Sequence, residues 1–171
     1  EVIGSLDGLA DNEVAERLDA RLTDYALVPS APVALPYELP PEVTAVETYP
    51  IASLGEALDG LAAWFGLANA VLTQAAGRFG DLHPGASPVR CWPHHFDIAT
   101  YVSLEEGAFE TARGIGIGLS PGDESYGEPY IYVNPWPHLD PAVLPPAPAP
   151  GHWHTDGFVG AIATATEIQT L

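Results

Sequence analysis

Apolar and polar positions along this chain change their period twice. From Leu9 to Ala26, Val14, Leu18, Leu22 and Tyr25 recur at steps of three or four, with Glu13, Glu16, Arg17, Asp19 and Arg21 between them. That spacing predicts an amphipathic helix with one buried stripe. Residues 27–50 are then rich in proline, as in Val28-Pro29-Ser30-Ala31-Pro32 and Leu39-Pro40-Pro41, and no helix crosses such a stretch. A short edge strand is expected over 43–49. Ser53-Leu54-Gly55-Glu56 reads as a capping box. It opens a second helix that should run to about Arg78 and end at Gly80. Leu54, Leu58, Leu61, Phe65, Leu67, Ala68, Val71, Leu72 and Ala75 give it a broad apolar face, as in a central core helix.

After Gly80 the period becomes two. Strands are predicted at 88–92, 96–104, 112–120 and 129–136. Phe96, Ile98, Thr100, Val102 and Leu104 alternate with Asp97, Ala99, Tyr101 and Ser103; Ile115, Ile117 and Leu119 alternate with glycines. One apolar face and short turns indicate an antiparallel meander. Proline returns in 137–150, a surface crossing. A last short strand is expected at Gly151–His154. Thr155 then reads as the N-cap of a closing helix lined by Phe158, Ile162, Ala165 and Ile168. There is no internal repeat. The order predicts a single α+β domain over 1–171: a helix and proline-rich arm in 1–50, then helix, β-meander and closing helix in 51–171. The sheet should have four to five strands packed by the long helix, with an N-terminal and a C-terminal helix flanking it. Leu58, Leu61, Phe65, Ile98, Val102, Ile115 and Ile117 should be buried together.

Composition narrows the function. The 171 residues carry five Lys plus Arg against 23 Asp plus Glu, a net charge of −18. Binding to nucleic acid or to an anionic membrane surface needs clustered cations, so neither is expected. The most apolar stretch, Leu54 to Phe79, still carries Glu56, Asp59, Asn69, Gln74 and Arg78, and no membrane span is expected. The single cysteine, Cys91, cannot form an intramolecular disulfide, which fits a reducing, cytoplasmic setting. It is expected to be a small buried hydrophobe.

The segments Ser87-Pro88-Val89-Arg90-Cys91-Trp92-Pro93-His94-His95-Phe96-Asp97-Ile98-Ala99, Gly118-Leu119-Ser120-Pro121-Gly122-Asp123-Glu124 and Glu128-Pro129-Tyr130-Ile131-Tyr132-Val133 carry a resemblance. They look like a group of uncharacterised bacterial proteins. More distantly they resemble a bacterial family of unknown function with an SPV…FW…FDLA segment and a later PG…FY.Y.YP.P segment. The resemblance spans roughly the last half of the chain and implies a shared domain, without an activity or a catalytic residue. Where that family has FWGSFD, this chain has Trp92-Pro93-His94-His95-Phe96-Asp97, so its two histidines depart from the pattern.

Chemistry concentrates in two histidine groups. His94, His95 and Asp97 open a strand, and His152 and His154 occupy another. Residues two apart share a face of an extended segment, so His95 with Asp97, and His152 with His154, should point together. Imidazole and carboxylate together suit a divalent transition metal such as zinc, and a metal-bound water would be hydrolytic. A shared site at one end of the sheet would be walled by Trp92, Tyr130, Tyr132 and Trp153. Two other readings stay open: a metal-free pocket for a small-molecule ligand, and histidines and tryptophans that only lock strand ends. Asp97 would be solvated, paired with Arg90 or Arg113, or orienting His95. The acids Asp123, Glu124 and Glu128 are expected to form a solvated turn. Gly114, Gly116 and Gly118 leave one strand face bare, either for a packed aromatic ring or as a groove floor.

Overall fold

The alternation after Gly80 becomes a sheet. The structure, a computed structural model, describes residues 4–28, 34, 47–93, 95–108 and 111–170. Contacts divide the chain into two compact units, Glu1–Gly60 and Leu61–Leu171.

In the first unit, helix α1 spans Asp11–Asp24. The Glu13 carboxylate accepts from the Ala10 N–H and so caps its first turn. The predicted stripe is only half-buried, at Val14 and Leu22, while Leu18 and Tyr25 are exposed. Backbone bonds from Gly8 to Tyr49 and from Tyr49 to Leu9 close the unit over buried Leu9. The strand expected at 43–49 lies mostly outside the described residues. A 3-10 turn at Ile51–Leu54 leads into helix α2, Gly55–Gly77. Ser53 donates its hydroxyl to the Pro50 carbonyl, so the expected capping box does not form. By length and composition alone, Ile51–Gly77 is long and apolar enough to cross a membrane.

The second unit is built on one antiparallel sheet of seven strands, more than the four or five expected. They are β1 (Gly85–Ala86), β2 (Arg90–Trp92), β3 (Asp97–Ser103), β4 (Gly114–Ser120), β5 (Tyr130–Trp136), β6 (His152–His154) and β7 (Gly160–Thr164). The order is β1-β3-β4-β5-β7-β6, with β2 also paired to β3. The β3-β4-β5 meander is the one the alternation predicts. The closing helix is corrected: residues 160–164 form β7, and only Ala165–Gln169 turn into a short helix, α3. Helical spacing of Phe158, Ile162 and Ala165 competes there with Val159, Gly160, Ile162 and Thr164, which are weak helix formers. The open ladder of β5 decides the contest.

Register sorts the side chains. Ile98 pairs with Leu119 and Leu119 with Ile131, so these share one face. Buried Ile98 and Leu119 pack on Ala68 and Leu72 of α2, with Trp64, Phe65, Val89, Ile117 and Ile131 around them. The helix therefore buries its 64/65–68–72 stripe. Of the expected core, Ile98 and Val102 are buried, Leu61, Phe65, Ile115 and Ile117 are half-buried, and Leu58 is exposed.

Candidate functional site

The opposite face of the sheet carries the chemistry. Asp97, Ala99 and Tyr101 of β3 lie beside Ser120, Gly118 and Gly116 of β4, then Tyr130, Tyr132 and Asn134 of β5. The bare glycine strand has a steric cause. A Cβ at Gly114 would sit 2.0 Å from the Tyr101 hydroxyl, at Gly116 2.0 Å from Asn134 Oδ1, and at Gly118 2.3 Å from Tyr132 Cζ. Glycine lets these side chains lie flat across β4.

A cavity of about 610 Å³ opens above this face, lined by His95, Asp97, Ser120, Asp123, Tyr130, Tyr132, Asn134, Trp136, His138, Gly157 and Phe158. A smaller one of about 230 Å³ shares His95, Asp97, Tyr132 and Asn134 and adds Trp92. Asp97 is 6% exposed. Its Oδ2 accepts from the Tyr132 hydroxyl. Its Oδ1 is buried and has no hydrogen-bond partner among the described residues. Asp97 is thus neither solvated nor held by Arg113, whose guanidinium pairs with Glu105 at 2.9 Å. Burial, then the Asp97 bond, pushes the Tyr132 phenol far above its ordinary value. Tyr130 is raised by burial and by Asp123, whose Oδ2 accepts from it at 2.6 Å. Both phenols therefore stay protonated donors, committed to carboxylates.

The chain enters β3 through a tight corner. His95 N–H bonds to the Trp92 carbonyl, and Phe96 takes φ +53°. A left-handed non-glycine residue costs about 1–2 kcal/mol. Phe96, predicted as the first strand residue, instead turns its ring edge-on to Phe65 at 5.4 Å. This corner sets Asp97 opposite Trp92 at the start of the strand.

The second histidine group lies elsewhere on the same face. His152 and His154 are on β6, four strand steps from β3. At about 4.8 Å per step that is about 19 Å along the sheet. Neither lines the Asp97 cavity; His154 stacks at 4.5 Å on Phe158, which does. Trp153 alternates to the other face and donates to the Pro145 carbonyl, pinning the proline-rich crossing. Trp92 walls only the smaller cavity. His94 lies outside the described residues. Among the described residues no group of three His, Cys, Asp or Glu is placed to hold a metal, so the predicted metal shell is not assembled there. Cys91, expected buried, is exposed.

What holds the β6 histidines is a network that spacing did not reveal. The Tyr126 hydroxyl lies 3.0 Å from His152 Nε2 and 3.0 Å from His154 Nδ1. His152 Nδ1 faces the Glu167 carboxylate at 2.9 Å, and His154 Nε2 faces the Asp156 carbonyl. The outer partners only accept, so each outer ring nitrogen carries a hydrogen. Those four contacts need four protons, whereas two neutral imidazoles and one phenol supply three. Glu167 is held below the usual carboxylate range by the Thr164 N–H first and by His152 next, which keeps it an acceptor. The acidic loop is not simply solvated either. Asp123 Oδ1 accepts from Ser125 and Tyr126 N–H, and Glu128 accepts from Thr166 N–H and hydroxyl. Thr164-Ala165-Thr166-Glu167, a capping-box pattern, was the sequence signal for Glu167.

Compared with protein-family models, with curated proteins and with solved structures, the chain matches none.

Proposed function

We propose that the Leu61–Leu171 unit is a small-molecule binding module, with its site in the cavity on the glycine-floored face of the sheet. The observation that carries this reading is the cavity itself: about 610 Å³, walled by Tyr130, Tyr132, Trp136 and Phe158 around the buried Asp97 carboxylate. Aromatic walls with polar side chains between them, here His95, Asp97, Ser120, Asp123, Asn134 and His138, are what a ligand site needs, and volumes of roughly 300–1,000 Å³ suit small organic ligands. The reading is one of binding rather than hydrolysis. Ser120 Oγ, the one lining hydroxyl outside the phenols, is engaged by Gly122 N–H and by Tyr130. No DNA or RNA partner belongs to this reading. The resemblance of residues 87–136 to a bacterial family of unknown function extends it to a shared domain and adds no chemistry.

A fragment screen followed by amide and side-chain NMR tests it. Binders should shift resonances of Tyr130, Tyr132, Trp136 and Phe158 together. A screen whose binders leave those four unmoved would remove the cavity as the site.

A further inference from the structure

We infer that the ligand of this cavity is an organic cation, a compact apolar body carrying an ammonium, amidinium or guanidinium head. The inference rests on the small-molecule reading above and names its ligand class. Asp97, which lines the cavity, is a buried carboxylate with one hydrogen bond, from Tyr132, and one buried oxygen that has no partner among the described residues. A buried charge with an unfilled acceptor is costly, and the group that relieves it is a positively charged donor.

The rest of the lining agrees. The chain has five Lys plus Arg, all of them Arg: Arg17, Arg21, Arg78, Arg90 and Arg113. None lines the cavity, whose wall supplies no guanidinium and, as basic groups, only the imidazoles of His95 and His138. Asp123 adds a second carboxylate. The phenol hydrogens of Tyr130 and Tyr132 already point at the two carboxylates, so they offer a ligand ring faces rather than donors. Trp136 and Phe158 add two further rings, and aromatic faces beside an acid favour a bound cation. An anionic ligand would meet two carboxylates and no guanidinium.

Benzamidine, benzamide and benzoate share a shape and differ in charge, so their affinities for the wild-type protein test the inference. Benzamidine should bind about 10- to 100-fold more tightly than benzamide, the value of a hydrogen bond to a charged group, and benzoate should be the weakest. Asp97→Asn should erase that preference and leave benzamide binding in place. If benzamide or benzoate binds as tightly as benzamidine, the cation assignment is overturned while the small-molecule site stands. If none of the three binds, both fall. Should Asp97→Asn fail to fold, the wild-type ranking decides alone.

Discussion

The two polar clusters on the open face of the sheet are built from similar residues and end in opposite states. At the β6 edge, His152, Tyr126, His154 and Glu167 give every ring nitrogen a partner. At the start of β3, Asp97 is more deeply buried and has an oxygen with none among the described residues. Rings with a partner at each nitrogen hold elements together, whereas a buried carboxylate oxygen without one calls for a group that completes it. Histidines in a ligand-like spacing thus bond to Tyr126 and Glu167, and the carboxylate at the start of β3 has an oxygen without a partner among the described residues.

Substitutions can break or sharpen this contrast. The scale is set on the helix face, where Leu72 is fully buried. Leu72→Ala should cost about 2–5 kcal/mol in chemical denaturation. A smaller loss would mean that α2 is not the packing partner of the sheet. Gly118→Ala places a methyl 2.3 Å from Tyr132 Cζ, so the ring must leave β4 and take its hydrogen from Asp97. The expected cost is about 1–3 kcal/mol, as for other overpacked sites. Unchanged stability and unchanged Tyr132 resonances would show that the ring does not lie across the glycines.

Tyr126→Phe removes the hydroxyl shared by the two imidazoles and should cost about 1–2 kcal/mol. Nitrogen-15 NMR should show the ring resonances of His152 and His154 shifting together in Tyr126→Phe. Unmoved resonances of both rings would show that the Tyr126 hydroxyl does not join them. The smallest effect is at Glu167. Its folded carboxyl lies below the ordinary 4.5, so its contribution is fully present above that value and lost as pH falls through the folded one. Glu167→Gln should flatten that part of the acid limb of a stability profile. An unchanged limb would leave the Thr164 and His152 contacts without weight.

Much of the sheet was legible because Ile98, Val102, Ile115, Ile117 and Leu119 report a two-residue period that only one register satisfies. The glycine face was legible as a surface for rings, but not that Tyr101 and Asn134 join Tyr132 there. Strand β7 was hidden because Phe158, Ile162 and Ala165 also fit a helix, and only the edge of β5 decides between them. Asp97, Tyr130 and Tyr132 were visible as candidates. Their separation from His152 and His154 was not, since it follows from β7 inserting between β5 and β6. Tyr126 and Glu167 were invisible as partners because 26 and 15 residues separate them from His152.

The central claim is that Asp97 is kept for a ligand and the Tyr126 cluster for the fold. Urea denaturation of Asp97→Asn beside Tyr126→Phe, both without ligand, tests it most directly. Removing a buried charge that lacks a full set of partners should leave stability unchanged or raise it, whereas removing the Tyr126 hydroxyl should lower it. An Asp97→Asn protein less stable than Tyr126→Phe would contradict the account and make Asp97 a structural group.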